Sequence, residues 1–565
     1  MAGICTAITA ARLGIKVVLI HERPVFGGNA SGEIRMWICG MQDYALRETG
    51  LTEEINLDNF FYNPTKNYPL WDSLLYGKVH AEKNITPFLN CTCFDSKTEG
   101  NTIKSVTAYQ MTTQTLIEVE AKYFADCSGD SILAPLTGAE YRWGRESKQE
   151  FDEPMQTHED SDRKTMGNSC LLQARKTDKK VSFRAPDWAE KVPVEKLKGK
   201  GLNLYNPGEN YWYLELGGVL DTIKDAESIN KRLLSLCLGV WDTVKNSGEF
   251  DADNFTLEFI GFLGAKRESR RMMGDYILTA NDIMEGKVFE DTVAYGGWPL
   301  DDHNPEGFDG DKSNYTIHVK KPYGIPYRCL YSKNIRNLFF AGRNISATHM
   351  AMSSARVMGT CSVIGQAVGV CAALATKYGI TPREVGAHIK EAQQILLWHD
   401  CYLPEIKRSV AEICSSAELV GVGEKIRNGE DRTIGSKSQG ESFALGQTAC
   451  YRFEKPTFVS GVKLVFDSDL TRKTFDMHWS EKHHSTRCNI LDDSPVFSMP
   501  ATLAKEYKLR AAKSDGEEIE LVWEKENRQR NVLIPVEREI KELSLTVLKN
   551  WGDTEKTNVF TFECY

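Results

Sequence analysis

The sequence predicts an α/β chain that ends in an all-β domain. Three stretches carry this reading. The chain opens on a helix of small residues followed by a buried strand, and a strand–loop–helix unit lies near residues 338–374. Helical periodicity then fades after about Ser415. Met1-Ala2-Gly3 begins the first helix, with Ala7, Ala10 and Ala11 on its close-packing side and Gly14 at its end. Lys16 to Ile20 is a buried-strand run, and Glu22 follows it. This is the second half of a dinucleotide-binding β-α-β unit, with Gly3 standing as the third glycine of the fingerprint. The first strand and the Gly-x-Gly turn are expected upstream of Met1. Glu22 is placed to hydrogen-bond a ribose hydroxyl, with His21 competing for the same position. Gly27-Gly28-Asn29-Ala30-Ser31 supplies a glycine loop suited to a pyrophosphate.

The following elements are read in order. Residues 36–82 are mixed helix with aromatic loops, and residues 84–125 are strands that lead into the Ser128-Gly129 turn. Residues 140–325 are long, loop-rich and aromatic, as expected of a substrate-facing cap. Leu338-Phe339-Phe340 is a buried strand ending at Gly342-Arg343. Ser354 to Leu374 then reads as one helix, with small residues at Gly359, Gly365, Ala367, Gly369, Ala372 and Ala373. Its first-turn N–H groups, near Arg356 to Thr360, carry partial positive charge and suit an electron-rich group. Thr381-Pro382-Arg383-Glu384 is a helix start, with a capping Thr, Pro at the first position and Glu three residues on. Beyond Ser415 alternating segments appear, such as Val462-x-Leu464-x-Phe466 and Leu543-x-Leu545-x-Val547. Several short strands in about 150 residues fit a β-sandwich.

These pieces resemble the FAD-dependent oxidoreductase family with a glutathione-reductase-like flavin domain, in its bacterial, sugar-locus form. The matching runs are Arg23 to Ser31, Asp126-Cys127-Ser128-Gly129-Asp130, Gly144-Arg145-Glu146, Lys266 to Arg271, Ala294 to Pro299 and Ala341 to Gln366. They follow one another in the family's order. The resemblance implies an FAD-binding Rossmann-like domain (residues 1–139 and 326–410), an α+β substrate cap (140–325) and a C-terminal all-β sandwich (415–565). The run Cys450 to Phe466 and the Asn428-Gly429 turn are similar to a discoidin-type, galactose-binding-like jelly roll. FAD is the implied cofactor. Its implied contacts are Gly3, Glu22, Arg23, Gly27, Gly28, Asn29, Ser31, Cys93, Ser128, Gly129, Gly342, Arg343, Gly359 and Thr360. The missing first strand and glycines bear on how firmly the pyrophosphate is held.

Flavin chemistry needs a rigidly held ring, a substrate on one face and a base near the proton that leaves. His303, after the Gly-Gly-Trp-Pro loop, and His349, before the flavin-facing helix, are the candidate bases. Imidazole titrates near neutrality and so suits that task. Lys266 to Arg271 reads as the start of a helix, with Arg267, Arg270 and Arg271 on one face. These arginines either clamp a substrate or form internal ion pairs with Glu268 and Asp275. Trp298 and Tyr327 complete the expected substrate contacts. The implied reaction is dehydrogenation of a secondary alcohol of a carbohydrate or glycoside, with hydride transfer to flavin N5. Two other readings stay open. One is C=C oxidoreduction on a carboxylate, and the other is a non-redox carbohydrate-binding or scaffold protein.

Composition bounds the partners. With 565 residues, 41% hydrophobic, the chain supports two or three domains. A net charge of −9 without a basic stripe argues against nucleic acid. No run of about 20 apolar residues suggests a membrane span. The partner expected is a small-molecule or oligosaccharide substrate, and the sandwich allows a dimer contact in a homo-oligomer. The 15 cysteines lie mostly in apolar runs with no Cys-x-x-Cys, which suits a reducing, cytoplasmic setting. A signal peptide upstream of Met1 would place the chain in the periplasm instead. No metal site is expected, since His478, His483, His484 and Cys488 match no ligand spacing.

Overall fold

The computed structural model describes residues 1–155, 158–435, 437–491 and 493–565. The chain forms two compact units. One comprises Met1–Gly40, Lys66–Gln393 and His478–Pro495, and the other Met41–Thr65, Gln394–Met477 and Val496–Tyr565.

The first unit opens with helix α1 (Ala2–Arg12) and strand β1 (Val17–Ile20). β1 pairs in parallel with β2 (Ile85–Phe88), Val17 opposite Ile85. An antiparallel meander follows, formed by β3 (Cys91–Glu99), β4 (Thr102–Gln110) and β5 (Thr115–Glu120). β6 (Phe124–Asp126) pairs in parallel with β7 (Leu338–Phe340). All three residues of β7 are fully buried. A short, wholly apolar strand suits a parallel pair covered on both faces.

The expected single helix from Ser354 to Leu374 is two helices, α2 (His349–Ala355) and α3 (Met358–Tyr378). Between them Val357 is extended (φ −67°, ψ 148°). The Gly359 N–H donates to Cys39 O at 2.7 Å, a bond across the chain that fixes the break. Thr348 caps α2 by accepting from Ala351 N. The small residues of α3 face α1. A Cβ on Gly365 would fall 2.3 Å from Ala2 O, and one on Gly369 2.7 Å from Thr6 O. Thr6 Oγ1 donates to Gly365 O at 3.0 Å. The stripe therefore brings two helix backbones into contact. α3 is long and apolar enough to cross a membrane, yet 83% of its apolar window is buried as a core helix.

Between β6 and β7 the helix Ala226–Asn246 lays Leu233, Leu236, Val240 and Val244 against Leu172, Tyr211 and Phe255. The segment 266–271 is not the expected helix. Ala265–Lys266 and Arg271–Met272 are short strands, paired with Asn168–Ser169 and Tyr141–Arg142. Glu268 and Ser269 between them are fully buried, so partners on other segments, not local periodicity, set the backbone. Thr381 and Glu384 make the expected reciprocal cap, but it opens a 3-10 segment, Arg383–His388.

The second unit is mostly β, as expected for the C-terminal part. Its strands are β8 (Glu418–Val420), β9 (Glu441–Ala444), β10 (Thr448–Phe466), β11 (Ala504–Ala512), β12 (Glu518–Glu524), β13 (Asn531–Asn550) and β14 (Lys556–Cys564). They hydrogen-bond in the order β9-β14-β10-β13-β11-β12, with β8 on β10, and every pairing is antiparallel. Register shifts after Arg452 and Val459 let the long β10 and β13 bend around one core. The helix Leu51–Tyr62 contributes Leu57 and Phe60 to that core, where Phe60 stacks on Phe475 at 5.1 Å. Glu53, fully buried, pairs with Arg472 at 2.7 Å.

Candidate active site

The residues expected to face a nucleotide lie near the ends of the parallel strands. Cys91 N donates to His21 O and Asn90 N to Arg23 O, which sets Glu22 and Arg23 beside the start of β3 and Cys93. Glu22 is exposed there. Gly27 (φ +113°) and Gly28 (φ +63°) hold a turn that a side chain would strain. Ser31 Oγ closes that turn on Gly28 O, and Asn29 Nδ2 reaches Lys266 O. Gly3 lets α1 approach Cys127, whose Cβ would lie 3.3 Å from a side chain at that position.

On the facing loop Gly129 lies under the Arg343 guanidinium, 2.8 Å from where a Cβ would stand. Ser128, exposed, hydrogen-bonds Asp126, and Gly342 (φ +114°) turns the chain into Arg343. Arg343 pairs with Asp130 at 2.8 Å, and Asp130 also takes Lys266 at 2.6 Å. Burial would raise the Asp130 carboxyl, but these cations bring it down to about 2. Burial lowers Arg23, and the nearby Arg343 adds to this against the pull of Glu22 and Glu33. Among the described residues Arg23 Nε and Nη1, Arg343 Nε and Thr360 Oγ1 are buried without a hydrogen-bond partner, although Arg23 Nη1 lies 3.7 Å from Glu33. Two neighbouring guanidinium groups with idle donors, next to a strained glycine turn, form a donor set for an anion such as a diphosphate.

A second cluster lies around the hairpin strand Leu300–His303, which pairs with Asn314–Ile317. Successive strand residues face opposite ways, so Asp302 reaches His349 while Asp301 and His303 share the other face. His303 Nδ1 lies 2.6 Å from Glu215 Oε2, and Nε2 lies 3.2 Å from Asp301 Oδ2. Glu215 also takes Arg267 at 3.2 Å and Gly167 N at 2.7 Å. Burial would raise the Glu215 carboxyl, and the Arg267 charge together with the His303 contact overcomes it and lowers it. Asp301 is likewise held well below the usual carboxylate range, because His303, Arg356 and Asn314 outweigh its burial. Trp212 stands edge-on to the His303 ring at 5.2 Å.

Both histidines expected as bases are buried between two carboxylates. His349 Nδ1 meets Glu268 Oε2 at 2.8 Å and Nε2 meets Asp302 at 2.9 Å. Burial would lower its pKa, but the charges of Glu268 and Asp302 push it up to about 10. The two carboxylates thus favour the protonated form of His349 at neutral pH. The arginines do not share a face. Arg271 is buried between Glu146 and Glu268. Arg267 is taken up by Glu215, Ser169 and Trp212 O. Arg270 turns away to Ser131 O and the Tyr141 ring. Of the predicted partners Glu268 is one, while Asp275 binds Arg383. Tyr327 is a core residue, fully buried, with its hydroxyl donating to Pro382 O at 2.6 Å. Trp298 stays half-buried beside the cluster, where its O accepts from Ser354 at 2.5 Å.

The profile of the family described as FAD dependent oxidoreductase matches residues 1–396. The chain belongs to this family. Among curated proteins none matches it. Among solved structures it is similar to the family 32 carbohydrate-binding module of EndoD from Streptococcus pneumoniae, at 16% identity and TM-score 0.20, over 27% of this chain and 99% of that one. It is also similar to the family 32 module of NanJ from Clostridium perfringens in complex with galactose, at 11% identity and TM-score 0.17, over 26% and 91%.

FAD is thus the cofactor of this oxidoreductase, and the idle donors of Arg23, Arg343 and Thr360 fit it. When bound, FAD supplies a two-electron acceptor. Sequence reasoning missed Glu215, Asp301, Asp302 and Arg356 as site residues. Asp301 and Asp302 were within reach of a sequence reading, since an acidic pair directly precedes His303. Glu215 sits 88 residues before His303 and leaves no local signal.

Proposed function

We propose that this oxidoreductase dehydrogenates a secondary alcohol of a carbohydrate, with His303 as the base that takes the hydroxyl proton. The observation that carries the assignment is the 2.6 Å contact between His303 Nδ1 and Glu215. It fixes the buried ring and leaves Nε2 beside Asp301, at 3.2 Å. Glu215 is then the positioning residue, anchored in turn by Arg267 and Gly167 N. His349, already protonated, holds Asp302 in place.

The test is anaerobic bleaching of bound FAD by a panel of sugars, with wild type, His303→Gln and His349→Gln at equal FAD content. Loss of a positioned base lowers the reductive rate by about 10²–10⁴. His303→Gln is expected to show that loss together with a changed pH profile of the reduction rate. Wild-type reduction rates retained by His303→Gln would overturn the base assignment. Bleaching by no sugar in the panel would overturn the substrate class.

A further inference from the structure

The same cluster holds two buried donors that no group among the described residues satisfies, Arg356 Nε and Trp298 Nε1. They belong to neighbouring stretches. Ser354 Oγ donates to Trp298 O, Asp301 N donates to Ser353 Oγ, and Arg356 Nη2 donates to Asp301 O at 3.2 Å. Segments 298–301 and 353–356 thus run side by side along a seam, and the two residues with idle N–H groups belong to them. A buried unpaired N–H is costly, and one on a guanidinium more so. The two carboxylates of this cluster are already compensated. Glu215 takes Arg267 and His303, and Asp301 takes His303, Arg356 and Asn314. The N–H groups left over therefore call for an acceptor from outside the chain. One of them belongs to a cation that cannot lose its proton.

We propose that Arg356 and Trp298 bind a carboxylate carried by the substrate, so that the alcohol oxidised belongs to a sugar acid and not to a neutral sugar. This rests on the dehydrogenase reading above. It also joins the cation of the seam to the base on the hairpin: the carboxylate anchors one end of the ligand and His303 meets the carbinol. Arg356 and Trp298 are specificity-determining residues in this scheme. A charge-assisted hydrogen bond to a carboxylate is about twice as strong as a neutral one.

The experiment uses the FAD-loaded full chain with four probes, gluconate and galactonate against glucose and galactose. Two readouts are taken, anaerobic flavin bleaching (kcat/KM) and perturbation of the oxidised flavin spectrum on binding (Kd). Wild type is expected to favour the acids at least tenfold in both. Trp298→Phe keeps the ring and removes only the N–H, and Arg356→Gln removes the charge. Each is expected to reduce the acid-to-neutral ratio about ten- to hundredfold, as loss of one hydrogen bond to a charged group does, with FAD content equal to wild type. Equal preference for acids and neutral sugars in wild type overturns the proposal, as does a ratio that neither variant moves. Acid binding that depends on Arg356 without any bleaching sustains the carboxylate site and defeats the dehydrogenase reading. A loss of FAD in Trp298→Phe shows that the N–H serves the cofactor and overturns the proposal.

Discussion

His349 makes stability depend on pH in a way that can be measured. Its imidazole is buried between Glu268 and Asp302, with Glu146, Arg271 and Glu153 packed around the same pocket. Burial opposes its charge, but the two carboxylates raise its pKa from 6.5 to about 10. A folded-state pKa above the unfolded one stabilises fully below the unfolded value, and the gain drains away as pH rises through the folded value. The window is therefore pH 6.5 to about 10. At about 1.4 kcal/mol for each pH unit the coupling amounts to about 5 kcal/mol at most. His349→Gln lacks this titration. Urea unfolding, followed by release of bound FAD to report on the first unit, is to be run at pH 6.5, 8 and 10 for both proteins. Wild type is expected to lose about 3–5 kcal/mol more than His349→Gln across that span. Parallel pH profiles would refute the argument, since a neutral or solvent-exposed His349 gives no difference between the two.

Further predictions concern both units. Glu53→Gln breaks a fully buried pair with Arg472 and is expected to destabilise the second unit by about 3–5 kcal/mol in urea titrations. Gly365→Ala drives a methyl towards Ala2 O and is expected to cost about 1–3 kcal/mol and lower FAD content, read from the ~450 nm band. Arg343→Met removes a cation beside Gly129 and is expected to weaken FAD binding about tenfold or more in apoprotein titrations. Tyr327→Phe loses only the bond to Pro382 O and is expected to lower stability by about 1 kcal/mol while KM stays as in wild type.

The fold class was legible because it rests on local pattern. The helix α1, the strand β1, the buried triplet Leu338–Phe340 and the alternating strands beyond Ser415 all announce themselves within a few residues. Where the pattern misled, distant partners had overridden it. Lys266 to Arg271 has helical spacing, yet its side chains are claimed by Glu215, Glu146 and Asp130 from far along the chain. The helix after Ser354 breaks at Val357 because Cys39 O, over 300 residues earlier, takes the Gly359 N–H. The glycines of the cofactor loop were readable, since positive φ demands them. The carboxylates that surround the two histidines were not, because a single sequence carries no trace of which acids will surround a buried ring. His303 and His349 look alike in sequence and differ only in their neighbours.

The order in which segments enter each unit limits how the protein can be taken apart. The backbone passes between the two units at residues 40–41, 65–66, 393–394, 477–478 and 495–496. A cut near residue 415 would strip the redox portion of residues 478–495 and leave Leu57 and Phe60 without the strands that shelter them. The β portion is consequently not a cassette that can be grafted onto another enzyme, and a trimmed catalytic fragment would expose apolar surface wherever it was severed. Any engineering of this chain has to begin from its whole length.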